Sequence, residues 1–361
     1  MKYIDEFRDK KLIQKVAGEI CKAVDPARTY RFMEVCGTHT MAIFRFGLRD
    51  LLPANIKLIS GPGCPVCVTP NDYLDKAIAL SGLEGVTIAT FGDMMRVPGS
   101  RSSLEIEKAA GASIRPVYST DDALAMARKD PAKQVVFLGV GFETTAPTVA
   151  ASIITAKREG LKNYSVLCGH KTMPEALKVL VEDKEVPIDG FLLPGHVSAI
   201  IGTAPYEFLP KRYKKRCVVT GFEPLDIMQA ILMLLCQVSP KVEIQYARII
   251  KRSGNPLARS VMEKVFVKND AAWRGIGSVK KSGLAIRREF SAFDAEKKFR
   301  LKVAPAREPK GCSCGAVLKG VMTPPECKLF GTVCDPEHPV GACMVSSEGT
   351  CAAYFRYGGK E

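Results

Sequence analysis

One hydrophobic pattern recurs over the first two-thirds of the chain. A short apolar, β-branched run ends in a turn bearing Gly, His or Cys, and after most of these turns a helical period follows. The run at 32–35 leads into Cys36-Gly37-Thr38-His39-Thr40 and a helical segment from Met41. The run at 56–59 leads into Gly61-Pro62-Gly63-Cys64-Pro65-Val66-Cys67 and a helix near Asn71. Runs at 86–91, 135–140, 165–168, 191–193 and 218–219 lead in turn to Gly92-Asp93, Gly141-Phe142-Glu143, Gly169-His170-Lys171, Pro194-Gly195-His196 and Gly221-Phe222-Glu223. Thr172-Met173-Pro174-Glu175 reads as a helix start, with Thr172 as the N-cap. Strands alternating with helices predict parallel sheets covered by helices on both faces. In such sheets ligands gather beyond the carboxyl ends of the strands, and nearly every unusual residue falls there.

The expected fold is α/β. Two parallel-sheet α/β domains surround a cleft, and a C-terminal cysteine-rich iron–sulfur domain follows. The expected boundaries are 1–120, carrying the Cys36 and CxxC loops, then 121–235, then a mixed region 236–361. Periodicity fades from Gly311 onward and gives way to cysteines and turn residues. The 361 residues are 47% hydrophobic and 25% charged, in the range of globular proteins rather than disordered ones. The most apolar run, 227–238, is too short for the ~20 residues of a membrane span. The first twelve residues hold no apolar segment of the secretory kind, so the cytoplasm is expected, without a membrane.

Charge and cysteine change this picture. The net charge is +14, yet the basic residues are scattered, densest at 211–216 and 248–252. No aromatic interleaving, zinc-finger or helix-turn-helix pattern accompanies them, so no nucleic-acid partner is expected. Thirteen cysteines in a reducing compartment point to metal or redox chemistry rather than disulfide scaffolding. Cys21, Cys168, Cys217 and Cys236 read as small core residues.

Three groups carry chemistry. Cys64 and Cys67 form a CxxC pair ahead of a helix, where backbone N–H groups favour a thiolate; the plainer reading is two half-buried turn cysteines. Cys36 and His39 offer either a nucleophile with its base or a soft ligand beside an imidazole. In the tail, Cys312, Cys327, Cys334 and Cys351 are separated by 14, 6 and 16 residues. Four thiolates are the usual ligand set of an iron–sulfur cluster, and these gaps do not resemble a zinc knuckle. Spacing leaves Cys312 against Cys314, and Cys343 against Cys351, open. Glu143, His170, Lys171, His196, Asp93 and Arg96 complete the polar inventory of the strand ends, as proton carriers or as caps.

The segments CGTHTMAIFRFGLR at 36–49, GPGCPVCVTP at 61–70, GFETTAPT at 141–148, PGHVSAIIG at 194–202 and the tail from CSCGAVLKG to AYFRYG resemble those of the HypD family of hydrogenase maturation proteins. The resemblance runs over nearly the whole chain. It implies a [NiFe]-hydrogenase maturation factor that helps to build an Fe(CN)2CO group, working with a HypC-like chaperone and a HypE-like cyanide donor. It implies that Cys36 helps hold the transient iron with its CN and CO ligands. Cys64 and Cys67 would be a redox pair in the same cleft. Cys312, Cys327, Cys334 and Cys351 would bind a [4Fe–4S] cluster, with electrons passing from cluster to CxxC to iron. Glu143 and His196 would be cleft residues. Some relatives carry a second histidine where this chain has Met41. Two other readings compete: a stand-alone thiol–disulfide oxidoreductase, and a metal-bearing nucleic-acid binder whose binding falls with salt.

Overall fold

The computed structural model describes residues 4–358. Nine strands form two parallel sheets. The first sheet has the order β2-β1-β7-β8-β9, with β1 Tyr30–Glu34, β2 Ile56–Ser60, β7 Gly190–Pro194, β8 Arg216–Thr220 and β9 Val242–Ile244. The second has the order β4-β3-β5-β6, with β3 Val86–Thr90, β4 Ile114–Pro116, β5 Gln134–Gly139 and β6 Tyr164–Cys168. The α/β expectation holds. β3 and β7 are buried along their whole length, which is why they read as unbroken apolar runs rather than alternating ones. Helices supply the polar outer layer. In Lys10–Ala23 the buried residues Ile13, Ala17 and Ile20 share one face of the helical period.

Sheet membership is interleaved. The chain lays down β1 and β2, leaves to build all of the second sheet, and returns to place β7 beside β1, pairing Phe32 with Gly190 and Glu34 with Leu192. The expected boundaries at 120 and 235 therefore both fall inside a sheet, the first between β4 and β5, the second between β8 and β9. Periodicity identifies each strand but carries no information about which distant strand lies beside it. An antiparallel hairpin, β10 Phe266–Trp273 and β11 Gly277–Ile286, then packs against the second sheet, where Lys171 bridges Gly283.

From Gly311 onward regular structure shrinks to the short helices Cys314–Lys319 and Thr350–Tyr357 and a few 3-10 turns. Among the described residues no helix is long and apolar enough to cross a membrane. The basic runs are partly structural. Lys215 and Arg216 donate to the carbonyls of Ile188 and Leu234, and Arg248 grips the buried Asp226 with two nitrogens. Cys21 and Cys236, expected in the core, are exposed; Cys217 is buried.

Candidate functional site

The carboxyl ends of both sheets open onto one cleft of about 300 Å³. Val35, Cys36 and Thr38 line it from the end of β1, Gly63, Pro65 and Val66 from β2, Phe91 to Met94 from β3, and Val140 to Phe142 from β5. His196 follows β7, and Ser346 and Glu348 come from the tail. Parallel topology explains the convergence, since every strand of a parallel sheet delivers its following loop to the same edge.

Cys36 is the N-cap residue of the helix Gly37–Arg45, in extended backbone, and is 8% exposed. Burial pushes its thiol up to about 12, and the nearby Glu348 carboxylate adds to the effect. The CxxC turn lies directly against it. A Cβ on Gly63 would sit 2.2 Å from the Cys36 nitrogen and 2.3 Å from its Cα, so only glycine permits this approach. Cys64 caps the one-turn helix Pro65–Val68, accepting from the Cys67 N–H at 3.3 Å. The helix that serves the pair is thus this short turn rather than the one at Asn71–Ser81.

Several expected site residues do not line the cleft, Cys64 among them. Pro65 and Val66 line the cleft, but Cys67 turns to the tail, its Sγ 3.9 Å from the Ala342 carbonyl and close to Cys343. Burial raises the Cys67 thiol well above its ordinary range. His39 is fully buried behind the cleft wall, its Nε2 3.0 Å from the Gly221 carbonyl oxygen and its ring on Phe222. Burial lowers it to about 4, so it is neutral at physiological pH. His196 also stacks on Phe222, at 3.9 Å between centroids, and lines the cleft. Burial lowers its basicity too.

Glu143 also points away from the cleft. Its carboxylate accepts the Met173 N–H at 3.1 Å, capping the helix Met173–Glu182 in place of Thr172, and it lines a second cavity with Arg259 and Lys268. Burial raises the Glu143 carboxyl to about 8. Asp93 lines the cleft, whereas Arg96 donates to the Pro336 and Glu337 carbonyls outside it. His170 and Lys171 are buried near Cys168, with the Lys171 ammonium 6.0 Å from the Trp273 ring centre.

Sequence reasoning missed three residues. Glu34 is fully buried, and its Oε1 accepts from Ser60 at 2.6 Å and Thr40 at 3.1 Å, tying together the strands and helix that carry both cysteine loops. Its position two residues before Cys36, on a strand otherwise facing the core, was the available signal. Ser346 and Glu348 had none, because a wall contributed from 310 residues away leaves no local pattern.

In the tail, Cys312, Cys327, Cys334 and Cys351 line one narrow cavity together with Cys314 and Cys343. Among the described residues no three His, Cys, Asp or Glu side chains stand close enough to hold a single ion. A four-iron cluster takes four thiolates, and the cysteines of this cavity, set among Ser313, Val317, Leu329 and Phe330, offer that donor chemistry. Gly341 leaves the space open, since a Cβ there would meet the Cys312 Sγ at 2.6 Å. Burial raises the Cys327 thiol, but the Ser313 and Leu329 N–H groups and the Ser313 hydroxyl outweigh it and hold the thiol below its ordinary range. The Val340 N–H donates to the Cys334 Sγ at 3.4 Å. Such bonds stabilise thiolates and tune a cluster's potential. Cys314 and Cys343 lie with sulfurs 2.7 Å apart, and Cys343 also reaches Cys67 and Cys351. A continuous row of sulfur therefore joins the CxxC turn to the tail cavity.

The family model described as "HypD: Hydrogenase formation hypA family" matches residues 11–358. The hydrogenase maturation factor HypD of Rhizobium leguminosarum bv. viciae is 50% identical, over 99% of this chain and 96% of its own. That of Cupriavidus necator is 49% identical over 99% and 97%. The hydrogenase expression/formation protein HupD of Azotobacter chroococcum mcd 1 is 48% identical over the same shares.

Proposed function

The chain belongs to the HypD family and is a hydrogenase maturation factor, and from that premise we propose that its cleft is the scaffold on which an Fe(CN)2CO group is assembled. The observation that carries the reading is Cys36, a soft ligand at the meeting point of loops from both sheets, packed against the CxxC turn. Iron is cargo here, gripped between Cys36 and a ligand brought by a HypC-like chaperone, while a HypE-like donor supplies cyanide. CN and CO favour low-spin ferrous iron, which suits thiolate. The Cys36 thiol keeps its proton in the free protein, because burial disfavours the anion; the metal displaces that proton, so retention strengthens as pH rises. Neutral His39 and His196 both stack on Phe222, which braces the cleft wall at His196.

Cys312, Cys327, Cys334 and Cys351 are the residues that would hold a [4Fe–4S] cluster, with Cys314 and Cys343 left as thiols beside it. Such a cluster supplies single electrons. The row of sulfurs supports thiol–disulfide exchange within the chain. A Cys343 thiolate attacks a Cys64–Cys67 disulfide at Cys67, and Cys314 resolves the mixed disulfide. Two electrons and two protons pass to the CxxC pair, and Cys314–Cys343 is left oxidised. A free-standing oxidoreductase fits less well, since Cys64 and Cys67 are both buried and closed to a protein disulfide.

The test is infrared spectroscopy of the anaerobically purified complex. Cys36→Ala is expected to abolish the bound CN and CO stretches while leaving the tail's visible absorbance intact. Persistence of those stretches in the variant overturns the role given to Cys36.

A further inference from the structure

The tail does more than enclose its own cavity. Between Cys343 and Cys351 it sends a strap, residues 346–348, into the cleft wall. The Ser346 hydroxyl donates to Asp93 at 2.7 Å, and Glu348 accepts from the Thr38 hydroxyl at 2.5 Å. The approach is close along the backbone as well. A Cβ on Gly37 would fall 2.5 Å from the Glu348 carbonyl oxygen and 2.6 Å from its Cβ. At its root the strap folds back on a tail cysteine, since a Cβ on Gly349 would meet the Cys343 carbonyl at 2.1 Å. Beyond Cys351, Tyr354 lies 4.2 Å from Phe44, ring centre to ring centre, and the Arg49 guanidinium covers both rings.

The helix Gly37–Arg45 is thus held by the tail at two places, its first turn and its last. It has no side-chain cap of its own, because Cys36 occupies the N-cap position without making that bond. Glu348 reaches this first turn through the Thr38 hydroxyl, and a carboxylate beside a helix start is favoured there by the helix dipole.

We propose that Glu348 is a positioning residue for Cys36: the strap holds the first turn of the helix Gly37–Arg45 against the cleft, so the placement of the iron-gripping thiol depends on the fold of the cysteine-lined tail. The inference rests on the reading of Cys36 and the tail given above. It adds that the two centres are mechanically joined through the Glu348–Thr38 contact. Loosening the tail frees the Cys36 loop, even with both sheets intact.

The test follows alkylation of Cys36 by N-ethylmaleimide in the full chain, anaerobically and at fixed pH, by peptide mass spectrometry. The exposed Cys21 is the internal reference. Glu348→Ala is expected to speed Cys36 labelling relative to Cys21 by about tenfold, at unchanged visible absorbance of the tail. Glu348→Gln, which still accepts from Thr38, should label at nearly the parent rate. Chelator-treated parent protein should label as fast as Glu348→Ala. Unchanged Cys36 labelling in Glu348→Ala overturns the proposal. So does equal acceleration in Glu348→Gln, which would make the effect one of charge rather than contact. Should Glu348→Ala fail to fold, Thr38→Val removes the same bond from the helix side and decides the matter alone. A parent protein without cluster absorbance would refute the tail assignment, while the comparison of Glu348→Ala with parent still tests the strap.

Discussion

The cleft and the tail cavity both gather cysteines, but by opposite means. In the cleft most walls follow strands whose neighbours are fixed by a ladder of backbone hydrogen bonds, and the tail adds only the strap of Ser346 and Glu348. In the tail the six cysteines of the cavity hang on two short helices and a series of turns. Cys334, Met344 and Ala352, with Leu329, Phe330 and Val340 against them, form a small cluster of the tail's own, while Cys314, Leu318, Ala342, Cys343 and Val345 lean on the main core. On the proposed reading, the difference teaches that a transient guest would take a hollow framed by strands, whereas a resident inorganic centre would itself help to hold its domain together.

The sharpest way to break this comparison is Cys327→Ala. Loss of one tail thiolate is expected to remove the cluster's visible absorbance and to lower stability by about 4 kcal/mol or more, read as a drop in Tm. Far-ultraviolet circular dichroism should show both sheets retained. A tail that stays folded and colourless at the parent Tm would mean that it does not depend on a metal centre.

A smaller effect probes the prebuilt side. Gly63→Ala drives a Cβ into the Cys36 backbone and is expected to cost about 3 kcal/mol. Gly92→Ala, at another cleft loop with open space around it, should be nearly neutral. Equal Tm values for the two variants would show that the Cys36 and CxxC loops are not locked together.

The third test reads a slope, small over any one pH unit. The buried Glu143 carboxyl titrates near 8, above its ordinary 4.5, so the folded state holds the proton more tightly than the unfolded one. The native state then binds more protons across that window, and stability falls as pH rises from about 4.5 through 8, by on the order of 1 kcal/mol per pH unit. Glu143→Gln should flatten that slope in denaturant titrations. An unchanged slope would remove Glu143 as its source and leave it a simple helix cap.

The strands, the turn chemistry and the candidate thiols were legible because each rests on a few consecutive residues. β-Branched runs covered on both faces announce parallel strands, as at β3 and β5. Gly61-Pro62-Gly63 announces a turn that needs small residues. The six tail cysteines stand out because few large apolar residues compete with them. Glu143 and His39 misled in the same way. Both follow strands, but side chains at neighbouring loop positions point to different sides, and sequence does not say which side faces the ligand.

By itself the amino-acid order determined the kind of fold, the sulfur chemistry and the reach of each loop, because these follow from local periodicity and from residue type. Only the tertiary structure decided that β7 returns to lie beside β1, that Cys67 turns to the tail while Cys36 stays in the cleft, and that Glu348 closes over Thr38. Those placements come from pairings across 100 residues and more. They are selected by the burial of whole surfaces at once, and no stretch of sequence holds that information alone.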